Sequence, residues 1–231
     1  MKIKRTVVIS LGGSIVVPEV GFIDYKFLKK FKKVILKYTK KGVRFIIVVG
    51  GGKTCRLYQA AAKKVGKLVS EDIDWIGIHS TRLNAHLLRT IFREHTHPEI
   101  NMNPSIIFAF KEPILIGSGW RPGWSTDYDA AKLAIAYGAK EVINLSNIDY
   151  VFNKDPKKYK DAKKFKNINW KNFFGLVGDE WTPGANLPFD PVASRLARGS
   201  HLKVLIMKGT DVKNFDNYLL SGKFKGTIIE D

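Results

Sequence analysis

The chain has 231 residues, 45% of them hydrophobic, enough for one large α/β domain that removes roughly 70% of its unfolded surface from water. No stretch approaches the ~20 consecutive apolar residues of a membrane span, and the single cysteine, Cys55, excludes an intramolecular disulfide and fits a reducing, cytoplasmic compartment. Lys and Arg outnumber Asp and Glu by 39 to 21, a net charge of +18, which favours phosphorylated small molecules, nucleic acid or an anionic membrane as partners.

Met1–Arg5 runs directly into an apolar stretch, Thr6–Leu11, that is too short for a signal peptide and lacks its small-residue cleavage pattern. Val7–Leu11 reads as a first strand ending at the turn Gly12-Gly13-Ser14. Asp24 can cap a helix over 25–41, closed by Gly42. Within it Phe27, Leu28, Phe31, Val34, Ile35 and Tyr38 fall at helical spacing, which leaves the interleaved lysines in water. Phe45–Val49 is a buried strand closed by Gly50-Gly51-Gly52, and a helix follows from about Thr54 to Lys64. Another helix starts near Asp74, with Ile76, Leu83, Leu87, Leu88, Ile91 and Phe92 inward. Ile106–Phe110 and Pro113–Ile116 read as strands, the second running into Gly117-Ser118-Gly119. An alanine-rich helix covers Asp127–Tyr137 and a strand Glu141–Ser146. A basic loop follows from Lys154 to Lys171, then a short helix near Trp170–Leu176. Gly178–Pro188, with Trp181 and Pro183-Gly184, has no mechanistic reading. A helix at Val192–Arg198, a strand at Lys203–Met207 and an edge strand at Gly226–Ile229 close the chain. Strands alternating with helices predict a three-layer αβα sandwich around a mainly parallel sheet. The absence of repeats, linkers or composition breaks predicts one domain over 1–231.

Several familiar signatures fail on spacing. Gly52-Lys53-Thr54 resembles the tail of a phosphate-binding loop, but Ile47 stands where the first glycine belongs. Gly117-Ser118-Gly119 starts like a dinucleotide fingerprint, yet Pro122 takes the third glycine position. His79, His86, His95, His97 and His201 form no metal-ligand set, and no Gly-x-Ser-x-Gly elbow exists for hydrolysis. What survives is a repeated arrangement. Three glycine-rich turns each follow a strand and precede a helix, and the ligand crevice of an open parallel sheet lies at the strands' carboxyl ends. Glycine lets backbone N–H groups approach an anion, and helix N-termini favour negative charge. Three such turns with a large positive charge argue for a substrate carrying several phosphates.

On particular residues the sequence resembles the amino acid kinase family, and within it the archaeal type of UMP kinase. The resemblance rests on Leu11-Gly12-Gly13-Ser14-Ile15-Val16-Val17-Pro18, on Val48-Val49-Gly50-Gly51-Gly52-Lys53 with Arg56, and on Asp74-Trp75-Ile76-Gly77-Ile78 with Thr81-Arg82-Leu83-Asn84-Ala85. It continues through Pro122-Gly123-Trp124-Ser125-Thr126-Asp127, Asn147-Ile148-Asp149-Tyr150-Val151-Phe152 with Asp155-Pro156, and Phe189-Asp190-Pro191-Val192-Ala193-Ser194-Arg195. The blocks occur in family order over nearly the whole chain, with Tyr150 where glycine is usual.

The resemblance implies an ATP-dependent nucleoside monophosphate kinase that converts UMP to UDP in pyrimidine nucleotide synthesis. UMP would sit in an N-terminal lobe of about residues 1–140 and ATP in a C-terminal lobe of about 141–231. By that resemblance Gly12, Gly13, Asp127 and Arg195 are catalytic. Gly51, Gly52, Arg56, Asp74, Arg82, Ser125 and Thr126 bind UMP. Gly13, Ser14, Lys53, Asn147, Asp149, Tyr150, Phe152 and Asp155 bind ATP, with Mg²⁺ carried on the ATP phosphates and no dedicated protein cage. The family also implies a homo-oligomer, hexamers being common, and no membrane partner. Nucleic acid is the less favoured partner. Ser10 stands where many members carry a lysine two residues before the first glycine, and Arg195 is the resemblance's candidate for that charge.

Plainer readings exist beside these. Asp74 and Asp127 fit helix N-caps, Asp149 fits a turn, and Arg56, Arg82 and Arg195 fit exposed helix positions. Trp120, Trp124 and Trp181 fit packing or subunit contact better than base stacking. Another kinase of the same family, and a non-catalytic nucleotide- or RNA-binding protein on the same fold, are the competing functions.

Overall fold

The structure is a computed structural model that describes residues 3–178 and 187–231. Trp181, Pro183 and Gly184 lie outside the described residues. Five strands run parallel in the order β3 (Ile114–Gly117), β2 (Val43–Val49), β1 (Arg5–Leu11), β4 (Glu141–Ser146), β8 (Lys203–Lys208). Beyond β8 lies β9 (Thr227–Ile229), antiparallel to it, and then β7 (Asn167–Ile168), parallel to β9. The short strands β5 (Val151–Phe152) and β6 (Lys164–Phe165) pair antiparallel as a separate hairpin.

Strand alternation sorts side chains to two cores, one on each face. Val7, Ile9 and Leu11 with Phe45, Ile47 and Val49 enter the first core, under the helices α2 (Tyr25–Thr39), α4 (Ser70–Ile91) and α8 (Val212–Ser221). Val8, Ile46, Val48, Val204 and Ile206 enter the second, under α5 (Thr126–Ala136), α6 (Trp170–Val177) and α7 (Pro191–Gly199). Helices therefore cover both faces, the expected sandwich.

The helix α2 shows which force wins locally. Its lysines include like-charged pairs four apart, such as Lys29 and Lys33, each costing about 0.2–0.5 kcal/mol. Phe27, Leu28, Phe31, Val34, Ile35 and Tyr38 are buried, and each fully buried large apolar side chain contributes about 1.5–3 kcal/mol. Packing outweighs repulsion several-fold, and Asp24 Oδ1 accepts from Phe27 N at 2.8 Å as the expected cap.

Four expectations are corrected. Residues 106–110 form no strand; the free edge of β3 is instead taken by Thr96, bridged to Ile114, and Asn101, bridged to Gly117. Phe110 is buried under the Arg44 guanidinium, 4.4 Å from its ring centroid, while Ile106 and Ile107 are exposed. The helix placed near Asp74 begins at Ser70 with Val69 as cap, so Asp74 lies past its first turn and is not an N-cap. Asp127 is not a cap either, because Ser125 caps α5 by accepting from Tyr128 N at 3.1 Å. The strand at Thr227–Ile229 is interior to its sheet, since β7 pairs with its far side.

Candidate active site

The turns after β1, β2 and β3 and the segments after β4 and β8 all lie at the carboxyl ends of parallel strands. The first two turns are in backbone contact. A Cβ on Gly13 would lie 2.2 Å from Gly52 N and 2.5 Å from Gly50 O, so only glycine fits there. Gly52 has φ +69°, a left-handed conformation that disfavours a side chain, and it opens the helix α3 (Gly52–Val65). Ser14 lies in the single-turn helix α1 (Gly13–Val16), and Lys53 N donates to Val17 O at 3.1 Å, tying α3 back to it. Arg56 is exposed on α3.

One face of α4 stitches the turns together. Asn84 Nδ2 donates to Gly50 O at 2.8 Å, and Thr81 Oγ1 accepts from Gly119 N at 2.8 Å. Arg82 Nη2 donates to Trp120 O at 3.3 Å, and Asp74 Oδ2 accepts from Gly123 N at 2.8 Å. The spacing of Asp74, Thr81, Arg82 and Asn84 thus anchors the second and third glycine turns to one rigid element. Past Gly119, Trp120 and Trp124 stack at 6.1 Å with the Arg121 guanidinium 4.2 Å from the Trp120 ring.

On the α5 face a carboxyl network closes the carboxyl end of β1. Ser10 and Asn144 are cross-strand partners, and both reach Asp127 Oδ1, Ser10 Oγ donating at 2.6 Å and Asn144 Nδ2 at 3.1 Å. Asp190 N approaches Asp127 Oδ2 at 3.4 Å. Asp190 caps α7, its Oδ1 accepting from Ala193 N at 2.8 Å, and Trp120 N donates to Asp129 Oδ2 at 3.2 Å. Among the described residues the buried Oδ1 of Asp129 has no hydrogen-bond partner, and the Ser125 hydroxyl lies against the Asp190 carboxyl. Desolvation, with the nearby Asp190 carboxyl, raises the Asp127 carboxyl to about 7 against the pull of the Ser10 hydrogen bond. Desolvation also raises Asp129 and Asp190, with Arg195 pulling Asp190 the other way.

After β4, Asn147 and Asp149 are exposed. Asp149 Oδ1 lies 3.5 Å from Lys208 Nζ, and Lys164 Nζ sits 4.7 Å from the Tyr150 ring centroid. Phe152 pairs with Lys164 across the hairpin. Asp155 lies in an exposed turn, its Oδ1 accepting from Lys157 N at 2.9 Å. Thr126 opens α5. Arg195 is exposed on α7, beside Lys171, Phe174 and Arg198 in a shallow surface depression. The structure therefore gathers Gly12, Gly13, Gly51, Gly52, Asp74, Arg82, Ser125 and Asp127 around linked turns, while Arg56, Asp155 and Arg195 are exposed outside that network. A cavity of about 530 Å³ between α2 and α8, lined by Lys30, Lys33, Lys37 and Lys213 among others, includes none of these residues.

Asn144, Asp129 and Lys208 were not singled out from sequence. Asn144 carried a readable signal, a polar residue inside the apolar run Glu141–Ser146, and so did Asp129 inside an alanine-rich helix. Lys208 looked like an ordinary polar strand end.

The family model described as the amino acid kinase family matches residues 5–208. The chain belongs to the amino acid kinase family. This kinase chain is 34% identical to the uridylate kinase of Methanocorpusculum labreanum over 226 residues, 96% of this chain and 94% of that one. It is 33% identical to the uridylate kinase of Methanocaldococcus jannaschii, covering 97% and 99% of the two chains. Its fold matches the crystal structure of uridylate kinase from Archaeoglobus fulgidus with a TM-score of 0.79 at 28% identity, over 98% of this chain and 100% of the other. Among the described residues of this kinase, no helix is long and apolar enough to cross a membrane.

Proposed function

We propose that this chain is a UMP kinase that transfers the γ-phosphoryl group of ATP to the phosphate of UMP, giving UDP and ADP in pyrimidine nucleotide synthesis. The observation that carries the reading is the backbone contact of the Gly12-Gly13 and Gly50–Gly52 turns. It holds the two turns side by side at the carboxyl ends of adjacent strands. Gly12 N and Gly50 N are tied to Leu145 O and Leu11 O, so the N–H groups of Gly13, Ser14, Gly51 and Gly52 are the ones in this reading that meet an acceptor and a donor phosphate in line. The near full-length likeness to uridylate kinases supports UMP as the acceptor.

In this reading UMP lies in the lobe of residues 1–140. Gly51 and Gly52 donate to its phosphate, Arg56 closes on that phosphate from α3, and Asp74 accepts from the ribose hydroxyls. Arg82, Ser125 and Thr126 complete the acceptor side. ATP lies against residues 141–231, with Asn147, Asp149, Tyr150, Phe152 and Asp155 along the nucleoside and Gly13, Ser14 and Lys53 at the phosphates. Asp127 holds Ser10 and the strand end below the reacting groups. Mg²⁺ neutralises charge on the ATP phosphates when bound. Hard, strongly hydrated Mg²⁺ takes one or two carboxylates beside substrate phosphates, and Asp127, hydrogen-bonded to Ser10 two residues before Gly12, is the carboxylate placed to support it. The setting is cytoplasmic.

A coupled ADP-release assay with ATP–Mg²⁺, run on UMP beside CMP, AMP, isopentenyl phosphate and acetylglutamate, tests the assignment. UMP should give the largest turnover, and no turnover with UMP would sink it. In the same assay Arg195→Ala should lower turnover by roughly 10²-fold, the size of a lost transition-state charge; a near-normal rate would remove Arg195 from the mechanism.

Self-association forms part of the proposal. The helix α3 buries none of its residues, and Leu57, Tyr58 and Val65 on it, with Val69, Trp75 and Leu83 on or beside α4, are exposed. Apolar side chains grouped this way mark an interface. Light scattering should give the mass of a homo-oligomer, hexamer included, and Leu57→Glu with Val65→Glu should reduce it. A monomeric wild-type chain would overturn this part alone.

A further inference from the structure

Phosphoryl transfer needs positive charge near the oxygens where negative charge develops. On the α5–α7 face of the sheet, β1 and β4 present only neutral groups at their carboxyl ends, Ser10 and Asn144, both turned to Asp127. The strand β8 differs. Val204 and Ile206 point into the core of that face, so the next residue on the same face by alternation is Lys208, which lies opposite Ser146 of β4.

Ser10 pairs with Asn144 and Asn144 with Ile206. Lys208 is therefore two strands across and two residues further toward the carboxyl edge, roughly 12 Å from Ser10 between Cα atoms. An extended lysine side chain and one phosphate group together span that gap. Among the described residues Lys208 holds Asp149, and loosely. Their N···O distance is 3.5 Å with side chains 48% and 59% exposed, longer than the roughly 2.7–2.9 Å of a charge-assisted hydrogen bond and in a setting where ion pairs contribute little. A polyphosphate would displace that contact at small cost. Gly209, which follows, is packed against Leu145 and Ile15, a Cβ there falling 3.0 Å from Ile15 Cγ1. The base of the lysine is thus fixed while its tip is free to exchange partners.

We propose that Lys208 binds the phosphate oxygens of ATP, exchanging Asp149 for them, and supplies the positive charge that β1 and β4 lack on this face. The acceptor's identity rests on the UMP-kinase reading above; the binding of ATP to Lys208 does not.

The test uses the full chain and two readouts, the Kd of ATP–Mg²⁺ by titration calorimetry and steady-state turnover with UMP. Lys208→Met should weaken ATP at least about tenfold and lower kcat by on the order of 10²-fold, with KM for UMP and the melting temperature unchanged. Lys208→Arg should keep most of both. Ser10→Lys added to Lys208→Met restores a cation to the same face and should recover turnover at least about tenfold. Wild-type Kd and kcat in Lys208→Met overturn the inference. So does a Lys208→Arg variant that loses as much as Lys208→Met while the Ser10→Lys rescue fails, because the side chain would then act through local packing and not through its charge on the phosphates. A wild-type chain that binds ATP but does not turn over UMP rejects the UMP-kinase reading, and the Kd comparison still decides Lys208.

Discussion

A chain carrying Gly13→Ala is expected to lose turnover by more than about 10²-fold and to melt on the order of 10 °C lower. The new methyl group would sit 2.2 Å from Gly52 N and 2.5 Å from Gly50 O, and backbone cannot swing aside as a flexible side chain can. Overpacking of this kind costs about 1–3 kcal/mol, occasionally more, and each kcal/mol lowers the melting temperature of a chain this size by about 2–4 °C. The catalytic loss is larger than the stability loss because separating the turns by about 1 Å misplaces both phosphates, and a shift of that size can cost 10²-fold. Gly175→Ala is the control. It lies within α6 with nothing among the described residues within 4 Å of a Cβ, so alanine there should be neutral or stabilising by up to about 1 kcal/mol. Equal behaviour of the two variants in thermal melts and turnover would remove the turn contact from the argument.

Asp127→Asn should change stability and activity in opposite directions above neutral pH. The Asp127 carboxyl is raised from 3.8 to about 7, so the folded chain binds its proton more tightly than the unfolded chain does. The resulting stability is fully present below pH ~4 and is lost as pH rises to about 7; at about 1.36 kcal/mol per unit this amounts to up to about 4 kcal/mol. Asparagine carries no charge to desolvate and still accepts from Ser10. Denaturant melts from pH 4 to 8 should therefore show a shallower loss of stability in the variant, with the variant more stable than wild type at pH 8. Some slope remains, because Asp129 and Asp190 are raised for the same reason. Turnover should fall by on the order of 10²-fold, the size of a lost charge interaction in the transition state. Parallel pH profiles for both chains would show that this carboxyl is not the group that titrates.

The central strands were legible because each is a largely apolar run, and all but β4, which ends at Ser146-Asn147, are closed by glycine; three of those closures are the glycine turns of the site. The rest depended on partners far along the chain. The strands β5, β6 and β7 have two residues each, too few for alternation to register, so the basic stretch read as a loop. The strand expected over Ile106–Phe110 had β-forming residues, but the edge it would have joined is held by Thr96 and Asn101. The helix α8 was legible and missed: Asp211 accepts from Asn214 N as its cap, and Val212, Phe215 and Leu219 keep helical spacing. For the site, motif order located the turns, whereas the convergence of Ser10 and Asn144 on Asp127 comes from strand register, and that of Asp190 from the packing of α7 on α5. Register is set by the whole sheet, and no local pattern encodes it.

The position of β9 imposes an order of assembly on the ribosome. Thr227 is fully buried; its Oγ1 accepts from Val151 N at 2.9 Å and donates to Phe165 O at 2.6 Å, so β9 fastens the β5–β6 hairpin as well as β7. Both are synthesised roughly 60–75 residues before their fastener. At about 5–20 residues per second, they wait roughly 3–15 s, long after the β3-β2-β1 part of the sheet has emerged. The half of the molecule proposed to receive UMP can take shape while the chain is still growing. The half proposed to receive ATP waits for Thr227, so a nascent chain stalled before that residue would hold a nearly finished acceptor side with no competence to phosphorylate.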